Sequence, residues 1–109
     1  MTNTSSDRVD ATDVSELVGD EVTNTDVKTL SAFGYETRYR LVRLLVEADD
    51  GLGFDEITPY VSISDSAVSH ALTLLCDAGL VRKRKEGRSR RYSATERAEA
   101  LVTALDETR

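Results

Sequence analysis

From Val27 onward, apolar positions recur at helical spacing. Leu30 and Phe33 share a stripe, Gly34 interrupts it, and Leu41, Leu44, Leu45 and Ala48 resume the i, i+3, i+4, i+7 period. This spacing predicts two helices, about Asp26–Phe33 and Tyr35–Glu47. Asp49-Asp50-Gly51-Leu52-Gly53 then reads as a turn, because Asp and Gly favour turn conformations and the alternating oxygen ligands of a calcium loop are missing. Phe54–Tyr60 predicts a short helix with Ile57 and Tyr60 inward, cut short or distorted by Pro59. Ser64 is a good N-cap for a helix over Ser64–Asp77. Val68, Ala71, Leu72 and Leu75 form its core face, and Gly79 stops it. Leu80–Lys85 and Arg88–Ser93 read as two short strands about Glu86-Gly87. Thr95–Asp106 reads as a closing helix with Ala98, Leu101, Val102 and Leu105 on one stripe. The fold class expected is mainly α with a small β-hairpin.

Residues 1–23 break the pattern. They are rich in Ser, Thr, Asp and Glu, so an acidic, mostly disordered tail is predicted, with at most a transient turn at Val14, Leu17 and Val18. The ordered domain is expected over residues 24–109. A chain of 109 residues with 4 Tyr, 2 Phe and no Trp must build its core mostly from Leu, Val and Ala. So short a chain buries a small share of its surface, and a subunit interface would add the missing burial.

Charge changes the picture more. The net charge is −6, but residues 61–95 carry 7 basic side chains (Arg82, Lys83, Arg84, Lys85, Arg88, Arg90, Arg91) against 3 acidic ones. A basic run inside an acidic chain points to a polyanion partner. The 3 Lys and 11 Arg set among 11 Asp and 9 Glu resemble, in composition, proteins of salt-accumulating halophiles. The N-terminal residues have neither the basic start nor the apolar run of a signal peptide, and no stretch is apolar enough to span a membrane. A cytoplasmic protein with no membrane partner is expected.

The helix over 64–77 has a second stripe, Ser66, Ser69, His70 and Thr73, of small polar side chains. A major groove accepts such a face, because these groups bond base edges or phosphates where bulky apolar residues would be stranded. The basic hairpin that follows can reach the flanking backbone or minor groove. Strand alternation means that its charges cannot all face the same way.

Tyr35-Glu36-Thr37-Arg38-Tyr39-Arg40-Leu41-Val42, Ser64-Asp65-Ser66-Ala67-Val68-Ser69-His70-Ala71-Leu72, and Ala78-Gly79-Leu80-Val81 with Glu86-Gly87-Arg88 and Tyr92-Ser93 resemble the ArsR/SmtB-type winged helix-turn-helix repressors. The similarity runs from about Val27 to Leu105. It implies a homodimer, paired through its terminal helices, that binds double-stranded operator DNA as a sequence-specific repressor. By this resemblance Ser66, Ser69, His70 and Thr73 on the helix and Arg88, Arg90 and Arg91 on the wing fall on DNA-contacting positions; Ser64 at the helix start and Lys83 and Lys85 on the basic hairpin complete the expected DNA-binding set. Leu30, Phe33, Ala98, Leu101, Val102 and Leu105 are the dimerisation set. The metal-sensing cysteines that some members carry before the turn are absent from Gly53-Phe54-Asp55-Glu56-Ile57. No His accompanies Glu96, Glu99, Asp106 and Glu107 on the last helix, so no metal site, no cofactor and no assigned effector are expected.

Other readings attach to particular residues. Cys76, the single cysteine, reads first as a half-buried small hydrophobe and second as a thiol or metalloid sensor. A winged helix kept only as a protein-interaction module would use the basic hairpin as an interface. An enzyme is not expected: Ser69 and His70, one residue apart on a helix, do not face each other as a nucleophile–base pair.

Overall fold

The computed structural model describes residues 11–109. Helix α1 (Ala11–Val18) is followed by α2 (Asp20–Phe33) and α3 (Glu36–Glu47). A two-residue strand β1 (Leu52–Gly53) leads into α4 (Phe54–Ile57), a 3-10 turn over Thr58–Tyr60, and α5 (Asp65–Asp77). Strands β2 (Val81–Glu86) and β3 (Ser89–Ala94) form a hairpin, and α6 (Glu96–Thr108) closes the fold.

Helix begins well before the expected boundary at residue 24. Residues 11–18 and 20–23 belong to α1 and α2, while residues 1–10 of the expected tail lie outside the described residues. Val14, Leu17 and Val18 do form a helical turn, but they stay 46%, 73% and 47% exposed. Local bonding and the favourable placement of Asp20 and Glu21 at the start of α2 therefore sustain this region, rather than packing. Gly19, with φ 89°, separates the two helices.

The core lies where α2, α3, α5, α6 and the hairpin meet. Leu41, Val42, Leu45, Ile57, Val68, Leu72, Leu75 and Leu80 are fully buried there. Truncating one of these leucines to Ala costs about 2–5 kcal/mol. Tyr60, predicted inward, is 70% exposed. The 3-10 turn around Pro59 carries it away from the buried face, which Ile57 fills alone.

The sheet has strand order β1-β3-β2, all antiparallel. Its edge strand β1 lies where the sequence predicts only a turn, and it pairs Leu52 with Tyr92 and Gly53 with Arg91. Gly51 precedes it with φ +81°, and a Cβ there would overlap the Tyr92 carbonyl, so only glycine fits. The hairpin pairs Glu86 with Ser89, so its two central residues are Gly87 and Arg88 rather than Glu86 and Gly87. Gly87 supplies the positive φ (64°) such a turn needs at its first central position.

Candidate nucleic-acid interface

The N-terminus of α5 is capped as the sequence predicts: the Ser64 hydroxyl accepts from the Ala67 amide at 3.1 Å. Val68, Ala71, Leu72 and Leu75 turn inward. That leaves Ser66, Ser69, His70 and Thr73 exposed together on the outer face. The Thr73 hydroxyl donates to the Ser69 carbonyl at 3.0 Å, keeping its oxygen free to accept from outside. Ser64, by contrast, already spends its side-chain oxygen on the cap.

The other end of α5 is held by its neighbours. The Gly79 amide bonds the Cys76 carbonyl at 3.1 Å and the Leu80 amide bonds Leu75 at 3.0 Å, a Schellman closure with Gly79 at φ 76°. Beyond it, three consecutive carbonyls accept from other elements. The Thr29 hydroxyl on α2 donates to Ala78 at 3.0 Å and the Thr95 hydroxyl donates to Gly79 at 2.7 Å. The Thr95 amide donates to Leu80 at 3.2 Å. Thr95 also caps α6 by accepting from the Ala98 amide at 3.2 Å.

Cross-strand register sorts the hairpin's charges. Opposed residues share a face, so Val81, Lys83, Lys85, Arg90, Tyr92 and Ala94 lie on one side and Arg82, Arg84, Glu86, Ser89, Arg91 and Ser93 on the other. Val81 and Tyr92 are buried, which fixes the first side as the one packed toward the core and α5. Lys83, Lys85 and Arg90 extend that side past the core into solvent, and Arg88 sits at the turn. None of these four makes an intrachain ion pair or side-chain hydrogen bond among the described residues.

Arg91 belongs to the opposite face and is engaged within the chain. It donates to the Gly51 carbonyl at 2.7 Å, the Asp50 carbonyl at 3.3 Å and Glu86 Oε1 at 3.3 Å, and lies 3.9 Å from Glu56. It ties the hairpin to β1 and the start of α4. This expected DNA contact is thus already engaged within the chain and stands on the side of the hairpin away from Lys83, Lys85 and Arg90. The signal was present in the sequence: an inward Tyr92 puts Arg91 outward on the other side. Arg82 and Arg84 share that side, and Arg84 sits 3.6 Å from Glu86.

The dimerisation set divides as well. Phe33, Ala98 and Val102 are 8%, 0% and 3% exposed within a single chain and form part of its core, so they leave the surface set. Leu30 and Leu105 remain exposed, Leu101 is half-buried, and Val22 and Val27 add apolar surface on α2. Sequence reading also missed Arg38. Its guanidinium donates to the Ala32 carbonyl at 2.8 Å and the Ser31 carbonyl at 3.2 Å, closing the end of α2 across Gly34 while stacking 4.2 Å over the Tyr35 ring.

Cys76 is half-buried beside Tyr92 and the inner end of the hairpin. Burial pushes its thiol above the ordinary value, against a smaller lowering by Lys83, and Asp77 raises it further. Among the described residues no three His, Cys, Asp or Glu side chains come together in a way that would hold a metal ion. No helix among them is long and apolar enough to cross a membrane.

This arrangement of two helices about a tight turn, with a hairpin beside the second, matches known proteins. A family described as a winged helix DNA-binding domain matches residues 54–98. A Halobacterium salinarum protein named for repression of an arsenical resistance operon, ArsR, is 44% identical over 91 residues, covering 84% of this chain and 70% of its own. Among solved structures, HlyU from Vibrio cholerae superposes with a TM-score of 0.70 at 27% identity, over 81% of this chain and 95% of that one. A homodimeric winged helix-turn-helix DNA-binding domain from Mycobacterium bovis shares the fold, with a TM-score of 0.69 at 21% identity over 80% and 79% of the two chains. The chain thus belongs to the ArsR family of winged helix-turn-helix DNA-binding transcriptional repressors.

Proposed function

We propose that this chain acts as a cytoplasmic homodimer that binds a specific operator, reading base edges with α5 and gripping flanking phosphates with the wing. The observation that carries this reading is the shared orientation of two surfaces. The exposed polar stripe Ser66, Ser69, His70 and Thr73 lies on the helix toward which the Lys83, Lys85 and Arg90 side of the hairpin faces. Helix side chains of this kind suit base-edge hydrogen bonds, and unpaired cations on a ribbon suit phosphates. Ser64 contributes by capping α5. Residues 24–109 serve as the DNA-binding and dimerisation domain, and the helical stretch before residue 24 serves as an arm added to it.

Pairing is supported by shape. The radius of gyration is 17.7 Å, against about 13 Å for a compact chain of this length. Val22, Val27, Leu30 and Leu105 on α2 and α6 leave apolar surface in water. A second copy is the partner that covers it, and the Mycobacterium bovis domain that shares the fold is a homodimer. The relative's arsenical name does not carry an effector over to this chain, because one half-buried thiol offers a single soft ligand.

Fluorescence anisotropy of a labelled duplex from upstream of the protein's own gene, run against a scrambled duplex over a salt series, tests the reading. Selective binding at two chains per site supports it. Binding that ignores sequence overturns it and favours a protein-interaction module instead.

A further inference from the structure

We infer that Thr29 is a positioning residue for DNA reading, one that sets the angle at which α5 meets its operator. This rests on the DNA-reading role proposed above. Thr29 is the one buried polar residue among those described, 3% exposed, and it stands 49 residues from the carbonyl it bonds. A threonine that merely filled space would be matched by valine, without the need for a hydroxyl. Here the hydroxyl reaches the C-cap of α5, one of the carbonyls that a helix end leaves without an intrahelical partner.

The neighbouring bonds make this an anchor rather than an isolated contact. Ala78 is held from α2, while Gly79 and Leu80 are held by Thr95 at the head of α6. The base-reading end of α5 lies far from this clamp. Ser66 is twelve residues upstream of Ala78, about 18 Å along the axis, so a tilt of about 5° at the clamp moves it by about 1.5 Å. A hydrogen bond to a base edge does not survive such a shift, since N–H···O contacts occupy a window of only about half an ångström. A contact from Lys85 or Arg88 to a phosphate tolerates it, because long flexible side chains re-aim.

Thr29 also sits next to Leu30, which is 59% exposed on the same helix. Helix α2 is thus a strut with apolar surface on one side and the clamp on the other. The position of α5 relative to that surface passes through this hydroxyl as well as through the buried faces the two helices share.

The test compares the full chain with Thr29→Val, Thr29→Cys and Thr29→Ser by anisotropy on operator and scrambled duplexes, with thermal unfolding and dimer mass measured on the same samples. Thr29→Val is expected to weaken operator binding about tenfold, the size of a lost base contact, while scrambled-duplex affinity and salt slope stay at the parent values. Thr29→Ser should restore the operator-to-scrambled ratio, and Thr29→Cys, with its weak donor, should fall between. An unchanged ratio in Thr29→Val overturns the inference, as does an equal loss on both duplexes. Should Thr29→Val fail to fold, the Thr29→Cys ratio decides, and a parental value overturns it. A parent protein that does not discriminate the two duplexes fails at the earlier step and removes the DNA-reading role itself.

Discussion

Arg90 and Arg91 are adjacent in sequence and have opposite surroundings. Arg90 lies on the α5 side of the hairpin with no ion-pair partner among the described residues, and Arg91 holds the backbone carbonyls of Asp50 and Gly51. Arg90→Ala should reduce the slope of log K against log salt by about 0.9, the share of one phosphate contact. Arg91→Ala should leave that slope near the parental value and lower the unfolding midpoint instead, because the part-buried Gly51 carbonyl and the exposed Asp50 carbonyl lose a charged donor. A salt titration beside a melting curve separates the two. At Cys76 the raised thiol value predicts slow alkylation at neutral pH that accelerates only above the ordinary thiol range, and Cys76→Ser should keep operator affinity. Thiol labelling followed over pH checks this. The polar stripe of α5 was legible in the sequence because helical period and residue size coincide there. The partners of Thr29 and Arg91 were not, since each reaches a carbonyl that only tertiary packing brings near, and those of Arg38 depend on how the chain turns at Gly34.

At the level of elements, the strongest periodicities gave the most faithful boundaries. Helix α5 starts and stops at its Ser64 cap and Gly79, and both strands of the hairpin shift by one residue along their whole length. Strand β1 was invisible because two residues carry no alternation, and it exists through pairing with β3. The helix α6 is joined to α3 by Asp106, which bonds Arg43 at 2.7 Å and Arg109 at 2.9 Å. Hydrogen bonds from Arg43 first, then Arg109, hold its carboxyl below the usual carboxylate range. A folded-state value depressed in this way gives stability that is present above the unfolded-state value and lost as pH falls through the folded one. Asp106→Asn should therefore lower stability slightly at neutral pH, where the ion pair is formed, and the difference from the parent should vanish as pH falls below about 4, as acid titration by circular dichroism would register. Both groups are solvent-exposed, so high salt should shrink the difference.

For the whole molecule, dimensions of 59 × 28 × 23 Å describe a body with an arm. Leu30→Glu places a charge on the apolar face of α2 without touching the core, and sedimentation should show it as a monomer with near-parental helix content. The same variant should lose more operator than scrambled affinity, since two half-sites are no longer read together. Parental dimer mass in Leu30→Glu would place the subunit seam elsewhere. Sequence composition argued for a partner from the small core, but it could not show where, because an exposed leucine and a buried one look alike until the fold separates Leu30 from Phe33. The arm bears on a different property, the protein's lifetime. A helix held by its own local bonds, with Leu17 73% exposed, opens at little cost and offers itself to proteases before the body does. Under the proposed pairing, a second copy that reached the arm would slow that cleavage. Solitary subunits would then be cleared faster than assembled ones, and turnover itself would hold down the supply of chains able to occupy only half an operator.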